Sequence, residues 1–218
     1  MTTDTIVRRS AVPRASDETA VRDLRYAGVT FFALAAAFLL VTMLAASIAP
    51  GYDFHAAAIS DLGVIEETAL LFNGLLVVLG ILNIAGGYLL YRSMRRTWLF
   101  AVYVLAGIGA IGAGLFPLDT GVHSLFALLA FVFFNIEAIG TSAVLTGPMR
   151  VLGVLAGTVG LIYAVLMVIG DAGNPAVFGP IGHGGSERMI AYPVMLWLLA
   201  FGGYLMAKGA PEPADSSR

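Results

Sequence analysis

The amino-acid sequence predicts an all-α integral membrane protein, a six-transmembrane-helix bundle with both termini cytoplasmic. Three observations carry the prediction. Hydrophobic residues make up 59% of the chain and charged residues 12%, where soluble domains hold about a half and about a quarter. Lipid must therefore solvate much of its apolar surface. Six stretches reach the roughly 20 apolar residues that a helix needs to cross the hydrocarbon core. Basic residues fall almost wholly on one side of those stretches.

The spans are placed at about 26–48, 68–91, 98–117, 122–145, 151–170 and 188–207. The first follows a polar, basic lead and closes at Pro50-Gly51. It ends in Ala45-Ala46-Ser47, which loosely resembles a signal-peptide cleavage site, but the apolar run is longer than a signal segment and reads as a retained helix. Pro117 closes the third span, Gly147-Pro148 the fourth, and Asn174-Pro175 follows the fifth. Tyr52, Tyr91, Trp98 and Tyr192 sit near the expected interfaces, where amphipathic rings prefer to lie. Residues 1–25 and 208–218 are polar and lack the apolar content to fold, so they read as cytoplasmic tails.

Orientation follows from Lys and Arg. Arg8, Arg9, Arg14, Arg22 and Arg25 precede span one, and Arg92, Arg95 and Arg96 separate spans two and three. Arg150 lies between four and five, and Lys208 and Arg218 follow six. These are eleven of the twelve basic residues, with Arg188 alone opposite. The positive-inside rule then puts both termini in the cytoplasm of a cell membrane. A formal charge of -2 with no basic groove excludes a nucleic-acid partner, and the absence of cysteine excludes disulfides and thiolate chemistry.

The titratable residues gather on the external side. His55, His123 and His183 all lie there, with Asp53, Asp61, Asp119, Asp171 and Glu187. Ser60-Asp61 either caps a short interfacial helix or begins span two, and Asp61 reaches His55 only if the loop folds back over the bundle. Asp119 and His123 are four apart. Either they share a helical face as a base or metal pair, or Asp119 or Thr120 caps span four. His183 lies in a glycine-rich stretch that either approaches a ligand closely or is merely loose, and Glu187 and Arg188 are expected to pair at the rim. The candidate catalytic set is His123, Asp119, Asp61, His55 and Ser60. His55, His123 and His183 are candidate ligands of a divalent metal such as zinc, which would activate a bound water, although no metal-binding spacing links them. A bis-His haem is the weaker alternative.

Ile59-Ser60-Asp61-Leu62-Gly63, Phe72-Asn73-Gly74 and Gly114-Leu115-Phe116-Pro117 with Asp119 and His123 resemble the domain of unknown function 998 family of small polytopic membrane proteins. The resemblance spans about 30–205. It implies a membrane fold and supplies no activity. Asp61 stands where the family has an acidic residue after the serine, and His183 is not part of the signature.

Glu137 lies near the middle of span four. A lone carboxylate there must be neutral or paired. With no Lys or Arg inside any span, its candidate partners are Asn83, Asn135, Thr141 and Tyr163. A proton or ion relay from His123 to Glu137 is the functional alternative. Gly107, Gly109 and Gly112 spell a dinucleotide-binding pattern without the strand it requires, and read as helix packing. Gly153 and Gly157 form a GxxxG face for packing within the bundle or between protomers.

Three function classes follow. The external His/Asp pocket belongs to a membrane-embedded hydrolase or lipid-modifying enzyme acting on a lipid or small molecule. Alternatively, it is the mouth of a proton- or cation-linked transporter that uses Glu137. In the third class the polar residues only cap helices in a structural or assembly protein.

Overall fold

The computed structural model describes residues 18–209. They form six long helices: α1 (Glu18–Ile48), α2 (Ala69–Met94), α3 (Thr97–Leu115), α4 (His123–Ser142), α5 (Gly147–Asp171) and α6 (Gly182–Lys208). All six are long and apolar enough to cross a membrane. Three 3₁₀ turns, Ser60–Gly63, Leu118–Thr120 and Pro175–Ile181, lie in the loops at one end of the bundle. The expected tails fall outside the described residues, except that 18–25 and 208 are helical.

Each helix packs against its neighbours in sequence, and α1 closes on α6, so the six form a ring. Across the ring, α4 also touches α6. Both ends of the described chain meet: Gly209 lies against Val21 and Arg25. At the same end Arg92 pairs with the buried Asp23 at 3.0 Å. Large apolar side chains such as Leu40, Met43, Leu70, Leu125 and Val165 point outward and stay exposed. That surface suits lipid, which removes the usual cost of leaving apolar area in contact with solvent.

Glycine sets how close the helices come. A methyl group on Gly80 would strike the Gly107 carbonyl and Ile111, and one on Gly107 would strike Gly80, so α2 and α3 cross nearly backbone to backbone. Gly109 and Gly112 meet Ala130 and Phe126 of α4. The dinucleotide-like pattern is thus a packing surface. Gly153 and Gly157 are buried against Ser142, Trp197, Asn135 and Ile139. Of the two readings of this face, these contacts are packing within the bundle.

Some boundaries differ from the sequence reading. Helix α4 ends at Ser142, and Gly147-Pro148 opens α5 rather than closing α4. Proline suits the first turn of a helix, where its missing N–H is not needed. Helix α6 begins at Gly182, six residues before the expected 188, because Gly182 and Gly184 let its first turn pack against the backbone of the loop.

Candidate functional site

At the end of the bundle away from Glu18 and Gly209, the segment 52–63 folds back over the ring and inserts Ala58, Ile59 and Leu62 into its core. Two adjacent residues of α6 hold it. Glu187, 4% exposed, accepts the backbone N–H groups of Ile59 and Ser60, the latter at 3.3 Å. Arg188 donates to the carbonyls of Phe54 and Ala57, both at 3.1 Å, and to the Tyr52 hydroxyl at 2.6 Å. Its guanidinium also lies over the Tyr52 and Phe54 rings. Among the described residues Arg188 forms no ion pair, so the expected Glu187–Arg188 rim pair is replaced by two opposite grips on one loop. An anion takes the loop's amides and a cation takes its carbonyls.

The glycine-rich run makes this docking feasible. The Gly184 N–H donates to the His55 carbonyl at 3.0 Å, and a side chain on Gly182 or Gly184 would collide with the backbone of His55 or Ala57. The close backbone approach expected there is realised, toward the loop. Tyr52 donates its hydroxyl to the Ala58 carbonyl at 2.6 Å. Burial pushes its pKa up to about 12, against the lowering pull of Arg188.

His123 is 3% exposed. Its Nδ1 lies 2.9 Å from the Phe116 carbonyl and 3.2 Å from the Ala113 carbonyl. Carbonyls only accept, so Nδ1 carries the proton and caps the end of α3. In the neutral ring Nε2 then keeps its lone pair, and no protein group among the described residues claims it. Asp61 reaches back to the Ala58 N–H at 2.8 Å, steadying the 3₁₀ turn. Thus Ser60-Asp61 belongs to a short helical turn, and α2 starts later, at Ala69.

Two adjacent hollows share these residues as a wall. An open cleft of about 410 Å³ lies among α4, α5, α6 and the folded-back loop, with Ser60, Asp61, His123, Ser124, Asp171, His183 and Glu187 as its polar lining. Behind it is a chamber of about 60 Å³ at the centre of the ring, lined mainly by Phe38, Phe72, Leu79, Phe134, Val194 and similar apolar groups. Ser60, His123, Ala127, Phe131, Glu187 and Ile190 line both.

The structure therefore brings Ser60, Asp61 and His123 of the expected catalytic set to one cleft. It does not bring His55 or Asp119 there. His55 is exposed and absent from the cleft lining, its ring against Gly182 and its backbone N–H bonded to Asp53 at 2.9 Å. Asp119 is exposed in the turn before α4. The helix starts at His123, with Val122 as a cap that uses no side chain, so the shared face and the Asp119 or Thr120 cap are both absent. Thr120 instead bonds the Pro117 carbonyl at 2.7 Å. His183 pairs with Asp171 at 3.1 Å and stacks edge-on against Phe178.

His183 shares the cleft lining with His123, and His55 lies outside it. Among the described residues no group of three His, Asp or Glu side chains is placed to hold a metal ion. His183 is paired with Asp171 and His55 lies outside the cleft, so the described residues offer zinc no three-residue ligand set.

Glu137 is fully buried and accepts from Asn83 Nδ2 at 2.9 Å, which also donates to the Tyr103 carbonyl at 3.1 Å. Thr141 bonds the Tyr103 hydroxyl at 2.8 Å, and Asn135 turns to the Ile190 carbonyl at 3.1 Å. Of the expected partners, Asn83 is the one. Glu137 lines neither hollow.

Sequence reading missed the roles of Glu187 and Arg188. One signal was available: Arg188 is the lone basic residue on its side and follows a run of glycines. No curated protein and no solved structure matches the chain. A family model described as protein of unknown function (DUF998) matches residues 29–204. With its six apolar helices and most of its length matched, the chain is a multi-pass membrane protein belonging to the DUF998 family.

Proposed function

We propose that the cleft binds an amphipathic small molecule, such as a membrane lipid or a lipid-like amphiphile, with its polar group at the rim and its apolar part toward the central chamber. The observation that carries this reading is that a polar cleft and an apolar chamber lie on the two sides of one shared wall. A cavity of a few hundred Å³ suits a small-molecule ligand. The chamber is too small for a long chain as it stands, so the tail enters by parting α4 from α6 or lies partly in the cleft. The clustering of basic residues at the other end supports an external position for the cleft.

A second reading is that the protein modifies this ligand, as a hydrolase or lipid-modifying enzyme. Its support is His123, whose unclaimed Nε2 is available as a general base on the wall beside Ser60. The transport reading draws less support, since Glu137 stands apart from both hollows.

The test is saturable binding of decyl amphiphiles to the purified protein in nanodiscs, by equilibrium dialysis. Wild type is expected to bind one equivalent, and Ala127→Trp, which puts bulk on the shared wall, to bind none. Unchanged binding in a folded Ala127→Trp protein would overturn the cleft. Turnover of an ester-linked amphiphile, lost in His123→Gln while binding persists, would establish the enzymatic reading.

A further inference from the structure

The cleft carries a charge pattern that its apolar chamber does not explain. Its titratable lining is Asp61, Asp171 and Glu187 with His123 and His183, and neither Lys nor Arg lines it. Arg188, the nearest cation in sequence, is turned to the loop, where its nitrogens hold Phe54, Ala57, Gly184 and Tyr52. The wider surface agrees. Seven of the fourteen acidic residues, Asp53, Asp61, Glu66, Glu67, Asp119, Asp171 and Glu187, belong to this end of the bundle, against one of the twelve basic residues. A concave site walled by low-dielectric helices focuses such a field.

A second, independent observation points inward. His123 is almost wholly buried on the shared wall, with Nδ1 committed as a donor and Nε2 left as an acceptor. Asp61 and Glu187 are likewise acceptors, already oriented by loop amides. The wall therefore offers acceptors to whatever enters, and the carboxylates of Asp61 and Asp171 on the open side of the cleft add negative charge. An anionic head would meet a like-charge surface with no guanidinium or ammonium to receive it. An ammonium head supplies both the donors and the charge that these groups lack.

We infer that the ligand of this cleft is a cationic amphiphile: an amine or quaternary ammonium group held between Asp61, Asp171 and the His123–Glu187 wall, on an apolar tail. This deepens the amphiphile-binding reading and rests on it. The cation can come from a free amine-bearing amphiphile or from a lipid whose head carries an ammonium beside a phosphate.

The experiment compares three decyl probes of equal tail: decyltrimethylammonium, decylphosphocholine and decyl sulfate. Binding is read by equilibrium dialysis on the full chain in uncharged nanodiscs. The trimethylammonium probe is expected to bind about tenfold more tightly than the sulfate, equivalent to about 1.4 kcal/mol. Asp61→Asn with Asp171→Asn should remove most of that gap while the protein keeps a cooperative thermal transition, since each amide oxygen can still accept the bond its carboxylate accepted. Phosphocholine binding as tightly as trimethylammonium would assign the head to a lipid, and phosphocholine binding as weakly as sulfate would assign it to a free amine. Equal affinity for all three probes, or tighter binding of sulfate, would overturn the cationic assignment while leaving the amphiphile cleft intact. No saturable binding of any probe, or binding unaffected by both Ala127→Trp and Ser124→Trp, would overturn the cleft itself. Ser124 is an exposed cleft residue, so that variant guards against misfolding of the first.

Discussion

Glu187 and Tyr52 show how single groups hold the distal loop. Glu187→Ala leaves the amides of Ile59 and Ser60 without an acceptor in a buried place. The expected cost is about 2 kcal/mol, measured as a lowered thermal midpoint in detergent, with faster proteolysis within 52–63. Tyr52 makes a prediction with a sign. Its folded-state value of about 12 lies above the ordinary value of 10, so the folded chain keeps a proton that the unfolded chain gives up. The stability contributed by its neutral hydroxyl is complete below pH 10 and lost as pH rises to about 12. The stability difference between wild type and Tyr52→Phe should therefore shrink across that window. A difference that stays constant would mean the phenol is not held neutral. In the interior, Asn83 Oδ1 and Glu137 Oε1 have no partner among the described residues. Glu137→Gln supplies a donor facing Asn83, so it should fold at least as stably as wild type, whereas Glu137→Leu should destabilise.

Among the elements, the pairing of α2 with α3 depends on glycine, and that dependence is local. Gly80→Val drives a branched side chain into the Gly107 carbonyl and Ile111, and should cost about 1–3 kcal/mol. Gly203 of α6 has nothing within 4 Å of where a methyl would sit. Gly203→Ala should therefore be neutral or stabilise by up to about 1 kcal/mol, since alanine gives up less backbone freedom in a helix. Thermal midpoints of the two variants check both claims, and equal effects would show that packing does not distinguish the sites. Helix α6 is the element on which the site turns. Its first turn reads as loop in sequence because glycine is a poor helix former. Tertiary contact overrides that preference: Gly182 and Gly184 let the helix start against the backbone of the returning loop.

Over the whole molecule, an even number of helices in a closed ring leaves both described ends at one side and the cleft at the other. The chain contains no cysteine, so single-cysteine labelling is free of background. In cells, Glu67→Cys and Asp119→Cys should react with an impermeant maleimide, while Thr97→Cys and Thr146→Cys should react only after permeabilisation. The reverse pattern would invert the orientation and put the acidic cleft in the cytoplasm.

Composition and span length were enough to determine the solvent, the helix count and the approximate spans, because a chain crossing lipid must satisfy its backbone within each helix and show a long apolar run. Asn83 was likewise within reach as a partner for Glu137, since few polar residues share the interior. The site was only half legible. Ser60, Asp61 and His123 were visible as polar residues on the right side, but the separation of His55 and Asp119 from them depends on how a loop folds back. Tertiary structure alone decided that Glu187 and Arg188 grip this loop rather than each other. Neighbours in a helix project in different directions, and which backbone groups each side chain meets is set by segments more than a hundred residues away.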